Sequence, residues 1–319
     1  MNYIVFDLEW NQSCGRDQEN PRIPFEIIEI GAVKLDNKLN IIDSYSSLIK
    51  PRIYKKIQPH IKAILHYDET ELRKGRPFDM VCREFLKWCG DDYIFCTWGP
   101  MDLNYLQNNM EYYYLKPLPT PLKFYNIQQI YADVSEPNHS IVKLEKAVNK
   151  LKMEIDRPFH SAVNDAYYTA GVFKRIKPRD LTDRYIYDIY NNPKEKEEEL
   201  ISYHKNYMEH ISREFTSKTE ALEDEELLTT RCYRCGKKIN HRIAWFASSP
   251  NSYSCIAKCF YHGLVLGKIR FKQSKNGNLF AIKTMVPTDK KGMENIRQRQ
   301  DELRIKRQIK RHNKKHHDF

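Results

Sequence analysis

The stretch YIVFDLEW, residues 3–10, sets the reading of the chain. Four apolar or aromatic residues lead into Asp7, Leu8, Glu9 and Trp10. Side chains alternate along a strand, so Asp7 and Glu9 share one face while Ile4, Phe6 and Leu8 share the other. Two carboxylates held side by side repel each other. They become tolerable when both face a metal ion, or when they stand in open water.

Working outward, EIIEIGAVKLD (26–36) and NIIDSYSSLIKP (40–51) read as two more strands with DNKLN as a hairpin turn. PFDMVCREFLKWCG (77–90) carries Phe78, Val81, Phe85, Leu86 and Trp88 on one helical face, with Gly90 as a stop. DYIFCTWG (92–99) is a short strand, and PMDLNYLQNNMEYY (100–113) starts a helix with Pro100 in its first turn. SIVKLEKAVNKLKM (140–153), N-capped by Ser140, and HSAVNDAYYTAGVFKRI (160–176) read as further amphipathic helices. Three early strands followed by alternating helices and strands predict an α/β fold with a mixed sheet.

The character changes after Pro178. KEKEEELISYHKNYMEHISREF (194–215) alternates charge sign at helical spacing, which predicts exposed connecting helices over 181–230. A cysteine-bearing β module follows over 231–288, in which residues 262–287 form a hairpin turning at KNGN. A basic helical tail closes the chain over 289–319, and residues 1–180 form the first domain.

The formal net charge of +11 is unevenly spread. Residues 231–319 hold 22 Lys and Arg against 5 Asp and Glu, whereas residues 1–230 hold 31 against 37. A basic rear behind an acidic front suggests a polyanionic partner for the rear. No run of about 18 apolar residues is present, so no membrane partner is expected. Asp7 and Glu9 interrupt the only apolar segment at the N-terminus, which argues against a signal peptide. A reducing, cytoplasmic location is therefore expected, with the eight cysteines as thiols or metal ligands.

Asp102 lies just beyond the strand 92–99, and Asp165 lies five residues after His160. With FDLEW (6–10), CTWGPMDLNYL (96–106) and HSAVNDAYYTAGVF (160–173), the chain resembles the DEDDh 3′–5′ exonucleases. That family includes RNase T and the proofreading subunit of bacterial DNA polymerase III. EIIEIGAVKLD matches the strand that follows the first motif, and the resemblance covers about residues 1–178. Within the family the front domain looks most like the RNase T and KapD-like branch, which favours RNA over DNA.

The resemblance implies an RNase H-like mixed five-stranded sheet flanked by helices. It also implies two Mg²⁺ or Mn²⁺ ions. Asp7, Glu9 and Asp165 would hold the first, Asp7 would bridge to the second, and Asp102 would act directly or through water. His160 would take a proton from the attacking water, a task suited to a group with a reference pKa of about 6.5. Hydrolysing a phosphodiester needs a nucleophile at neutral pH and charge neutralisation on both oxygens. Two ions about 3.5–4 Å apart supply both, and hard carboxylate ligands suit Mg²⁺ or Mn²⁺. Family members carry a base-contacting loop after the third strand. The aligned AILHYDE (63–69) has His66–Tyr67 where Gly-Ile is common. Trp10 is placed either to stack on the last base or to join the core.

In the rear segment, Cys232 and Cys235 are separated by nineteen residues from Cys255 and Cys259. Two such pairs predict one structural Zn²⁺ in a Cys₄, zinc-ribbon-like site, with His241 or His262 able to replace a ligand. The zinc would fold a segment too small to build its own core. Around it stand Arg242, Trp245, Phe246, Tyr253, Tyr261, Lys268, Arg270, Phe271 and Lys272. Cations interleaved with aromatics suit single-stranded nucleic acid, with Arg242, Lys268, Arg270 and Lys272 as substrate-binding candidates and Phe246 and Phe271 as core.

The sequence therefore predicts a 3′–5′ exonuclease that releases 5′-mononucleotides from single-stranded RNA or DNA 3′ ends, its rear holding the strand or a structured RNA. A nucleic-acid-binding adaptor with an inactive nuclease scaffold is the alternative.

Overall fold

The structure, a computed structural model, describes residues 1–65, 68–137, 140–176 and 184–317. It divides into two compact units, Met1–Tyr190 and Asn191–Phe319.

The first unit opens with β1 (Asn2–Gln12), β2 (Phe25–Leu35) and β3 (Ile41–Leu48), antiparallel neighbours. The Asp36 carboxylate accepts the N–H groups of Lys38 and Asn40 and so fixes the β2–β3 turn. Short helices α1 (Pro59–Lys62) and α2 (Glu69–Lys74) follow. Next come α3 (Phe78–Cys89), β4 (Tyr93–Thr97), α4 (Met101–Tyr112) and β5 (Lys123–Asn126). Helices α5 (Ile127–Ser135), α6 (Leu144–Lys150) and α7 (Ala162–Arg175) precede β6 (Ile186–Tyr187).

The sheet order is β3-β2-β1-β4-β5-β6, with β1, β4 and β5 parallel and β6 antiparallel to β5. This is a mixed RNase H-like sheet of six strands. The five expected strands are extended by β6, whose two residues are too few to show a strand period. The α6 helix begins at Leu144, not after Ser140, because Lys143 is extended (ψ 155°) and is itself the N-cap.

Alternation along β1 sends its side chains into two cores. Ile4, Phe6 and Leu8 pack with Phe78, Phe85 and Leu103 of α3 and α4. Val5 packs with Ile127, Val148 and Phe173 of α5, α6 and α7. Each such fully buried side chain contributes about 1.5–3 kcal/mol. Asp7 and Glu9 continue the Val5 face, so they point toward α7. That helix sits directly on Gly31 of β2, where a Cβ would lie 1.9 Å from the Val163 nitrogen. Only glycine permits this approach.

The second unit is one antiparallel sheet in the order β7-β8-β12-β11-β10-β9. Its strands are β7 (Leu200–Tyr203), β8 (Met208–Phe215), β9 (Asn240–Ser249), β10 (Ser252–Cys259), β11 (Gly263–Gln273) and β12 (Leu279–Pro287). Helices α8 (Lys218–Glu223) and α9 (Glu225–Leu228) lie between β8 and β9, and α10 (Lys290–His317) ends the described chain. The β11–β12 hairpin and the basic helix stand where the sequence predicts them.

The helical linker over 181–230 does not. Residues 177–183 lie outside the described residues, and 200–215 is the β7–β8 hairpin. The charges that mimic helical spacing act across strands instead. Glu199 accepts from His210 (2.8 Å) and Arg213 (2.9 Å), and Arg213 reaches Asp224. Strand β8 then pairs with β12, so the cysteine module is not a separate body over 231–288.

Buried Lys283 of β12 donates to the carbonyl oxygens of Glu226, Leu227 and Thr229, which ties the end of α9 to the sheet. Burial brings its pKa down to about 8. Among the described residues no helix is long and apolar enough to cross a membrane.

Candidate active site and metal centre

Asp7 and Glu9 project from the middle of β1. Glu9 stands directly opposite Glu29 of β2, a like-charge cross-strand pair, and a register shift follows it at Trp10. Asp102 is in the first turn of α4 and is 5% exposed; its carboxylate accepts the N–H of Leu8 on β1. Asp165 is in the first turn of α7. Its Oδ2 accepts the backbone N–H of His160 at 3.2 Å.

His160 itself has φ +64°, an unusual backbone setting for a non-glycine residue. That bend turns its ring toward the acids. Glu9, His160 and Asp165 each offer a ligand atom within 4.8 Å of the others. The His160 Nε2 also lies 3.5 Å from Glu145 Oε1 of α6. Of the five residues expected to act together, Glu9, His160 and Asp165 thus lie side by side, and Asp7 and Asp102 are close enough to couple electrostatically with Asp165.

The electrostatics show what this convergence demands. Burial, then Asp102, Glu9 and Asp165, push the Asp7 carboxyl well above the usual range. Burial, then Glu29, Asp165 and Asp102, push Glu9 up to about 8. Burial raises Asp102 to about 7, opposed by its own N–H and that of Leu8. Among the described residues, every effect acting on Asp7 and Glu9 raises the pKa. Hard oxygen donors in this state fit a divalent cation of the Mg²⁺ or Mn²⁺ type, which would restore their ionised forms.

Glu29 is a residue that sequence reasoning missed. It is 3% exposed, and its carboxylate accepts the Ala162 N–H (3.1 Å) and the Ser161 hydroxyl (3.4 Å) at the start of α7. It thereby holds the helix that carries Asp165. A signal was present in EIIEIG, where an acid interrupts an apolar strand on the Asp7 face. Trp10 is half-buried, its ring edge-on to Tyr105 at 4.7 Å and next to Phe25. It packs against the rim of the core and is only partly covered there. His66–Tyr67, which stand where the family's base-contacting loop commonly has Gly-Ile, lie outside the described residues.

In the second unit Cys232, Cys235, Cys259 and His262 form a cluster. Cys232 Sγ is 3.4 Å and Cys259 Sγ 3.6 Å from His262 Nδ1, and Cys235 Sγ is 3.8 Å from Cys259 Sγ. A tetrahedral zinc with bonds of about 2.3 Å to sulfur and 2.0 Å to nitrogen needs edges of about 3.8 Å and 3.5 Å. The donor set fits zinc. Burial pushes the Cys259 thiol up, but N–H groups of His262 and Tyr261 and the His262 ring outweigh it and bring it down to about 6.

Cys255 is not part of this cluster, which corrects the Cys₄ expectation. It lies four residues before Cys259 on the extended strand β10, about 13 Å along its axis. Its thiol is buried in the sheet interior and raised to about 12 by that burial. His262 takes its place across the tight turn after Cys259, and His241 remains outside the cluster. Lys268, Arg270 and Lys272 alternate with buried Ile269 and Phe271 on β11 and so share one face, whereas Arg242 is on the edge strand β9. Phe271 is core, as expected.

The RNase T family model, described as "Exonuclease", matches residues 4–173. This chain belongs to that exonuclease family. The exonuclease domain coincides with the strands and helices that carry Asp7, Glu9, Asp102, His160 and Asp165. The chain is 24% identical over 185 residues to the 3′-5′ exoribonuclease 1 of Rattus norvegicus, covering 55% of this chain and 53% of that protein. It is 25% identical over 175 residues to the PolC-type DNA polymerase III of Caldanaerobacter subterraneus subsp. tengcongensis, covering 54% of this chain and 11% of that one. The alignments thus span about half of one relative and a small part of the other. The solved nuclease domain of 3′hExo, a DEDDh family member bound to rAMP, is similar over 59% of this chain and 96% of its own. The identity is 22% and the TM-score 0.49.

Proposed function

We propose that the chain is a metal-dependent 3′–5′ exonuclease that removes 5′-mononucleotides from single-stranded 3′ ends, with RNA preferred. The observation that carries this reading is the grouping of Glu9, His160 and Asp165 beside the interior strand β1, with Asp7 and Asp102 electrostatically coupled to them. Asp7, Glu9, Asp102 and Asp165 would hold two Mg²⁺ or Mn²⁺ ions. Bound there, such ions neutralise phosphate charge and make water acidic enough to attack.

The chain's own residues divide the rest of the work. His160 accepts the proton of the attacking water at its ring nitrogen. Its backbone N–H, bonded to Asp165, fixes the ring's position. Glu145 faces the same ring and orients it. Glu29 anchors the first turn of α7 and so sets the height of Asp165. The second unit, with zinc on Cys232, Cys235, Cys259 and His262, presents Lys268, Arg270 and Lys272 to phosphates.

The test uses 5′-labelled single-stranded RNA and DNA of one sequence with Mg²⁺, Mn²⁺ or EDTA. A ladder shortening from the 3′ side, faster on RNA and absent with EDTA, is expected. Asp7→Ala should abolish the ladder and leave strand binding nearly unchanged. Digestion that survives Asp7→Ala refutes the site.

A further inference from the structure

Two large aromatic side chains stand exposed at the tip of the β10–β11 hairpin. Phe260 is 90% and Tyr261 70% accessible. Both sit inside the turn that supplies Cys259 and His262, and Gly263 closes it with φ +76°. The N–H groups of Tyr261 and His262 bond the Cys259 sulfur, so the turn is fixed from within. The two rings hold each other edge-to-face, with centroids 5.1 Å apart at 83°. Rings placed this way are presented to solvent by a rigid turn.

The surroundings select the occupant. Lys237, on the neighbouring cysteine turn, holds its ammonium 5.6 Å from the Tyr261 ring. Arg234, Lys238 and Lys258 are exposed on the two strands and turns that flank the metal cluster. From residue 227 to residue 288 the chain contains no Asp or Glu at all, against eleven Lys and Arg. Aromatic faces bordered by exposed cations suit a ligand that is polyanionic and carries flat apolar rings.

We propose that Phe260 and Tyr261 form a stacking platform for the unpaired bases of a single-stranded nucleic acid, with Lys237 on its phosphates. This rests on the reading of single-stranded nucleic acid as the substrate. It adds a binding site on the metal-organised turn of the second unit. Stacking on a ring is indifferent to base identity, so the platform grips strands without sequence preference.

The test measures binding of the full chain to a fluorescein-labelled 20-nucleotide single strand by anisotropy, without added Mg²⁺ or Mn²⁺ so that the strand stays intact. Phe260→Ala and Tyr261→Ala should each weaken binding roughly fivefold to a hundredfold. Tyr261→Phe should bind as the unaltered chain does. On an abasic strand of equal length and charge, the alanine variants and the unaltered chain should bind alike. Zinc content and thermal unfolding control for folding. Should the alanine variants unfold, Phe260→Trp decides, since its added fluorescence should be quenched by the base-bearing strand and not by the abasic one.

Equal binding of the alanine variants and the unaltered chain to the base-bearing strand overturns the proposal. So does loss confined to anionic lipid vesicles, which would assign the rings to a membrane surface. Digestion in Mg²⁺ is scored separately. Failure to digest with ring-dependent binding intact defeats the exonuclease reading and leaves the platform standing.

Discussion

Replacing Glu9 by glutamine removes one ionisable group from the acid cluster and keeps its shape. In the metal-free protein Glu9 has its pKa raised from 4.5 to about 8, by burial first and by Glu29 next. The folded chain therefore holds a proton there that the unfolded chain releases. Stability from this group is complete below about pH 4.5 and is lost as the pH rises through about 8. At about 1.4 kcal/mol per pKa unit the full shift corresponds to roughly 5 kcal/mol. Part of this belongs to the coupled neighbours, so Glu9→Gln should recover about 2–3 kcal/mol at pH 8.5. Near pH 5 it should recover little. For a unit of this size each kcal/mol moves Tm by about 2–4 °C, which predicts a rise of roughly 5–10 °C. Scanning calorimetry of metal-free protein at both pH values measures it, with the first unit followed through its own transition. Added Mn²⁺ should raise the Tm of the unaltered chain more than that of the variant, because a cation held in part by Glu9 would favour the folded form. A gain of equal size at both pH values, or a loss at pH 8.5, refutes the account of a charge-starved cluster.

Three other outcomes follow from the geometry. Gly31→Val should destabilise the first unit by about 3 kcal/mol or more in urea unfolding, since its Cβ would collide with the α7 backbone; a change under about 1 kcal/mol would mean that α7 is not seated there. Cys259→Ser should lose bound zinc while Cys255→Ser retains it, as read by metal analysis of purified protein, and the reverse pattern would restore the Cys₄ assignment. Ending the chain after Tyr190, the observed boundary between units, should reduce the salt dependence of strand binding by removing phosphate contacts. An unchanged slope of affinity against salt would exclude the second unit from binding.

The first unit was largely legible because its signals are local and agree with one another. Alternation in 3–10 places Asp7 and Glu9 on one face, and the short spacing of His160 and Asp165 brings both to the N-terminal end of α7. Glu29 was hidden because its partners are backbone and hydroxyl donors more than a hundred residues away, and no spacing rule reports those. The second unit misled in a specific way. Glu199, Arg213 and Glu214 fall at separations that suit a helix face, yet Arg213 bonds Glu199 beside the β7–β8 hairpin and Glu214 accepts from Asn192. Period-2 burial in 208–215 was masked by buried polar side chains, His210 and Ser212, where a strand's apolar row is expected. The zinc ligands were half legible. Counting residues between cysteines cannot distinguish four positions along an extended strand from three across a turn.

The pairing of β8 with β12 has a consequence for how the chain is made. Paired residues of the two strands, from Phe215–Leu279 to Met208–Met285, are 64 to 77 positions apart, and everything between them must leave the ribosome before the ladder can form. Until then the β7–β8 ribbon waits with an open edge, the condition that invites pairing with a stranger. Its charged side chains, Glu209 and Arg213 among them, make that edge a poor template for aggregation during the delay. The hairpin that carries Cys259 and His262 needs no such wait, since β10 and β11 are contiguous and close on themselves as soon as they emerge.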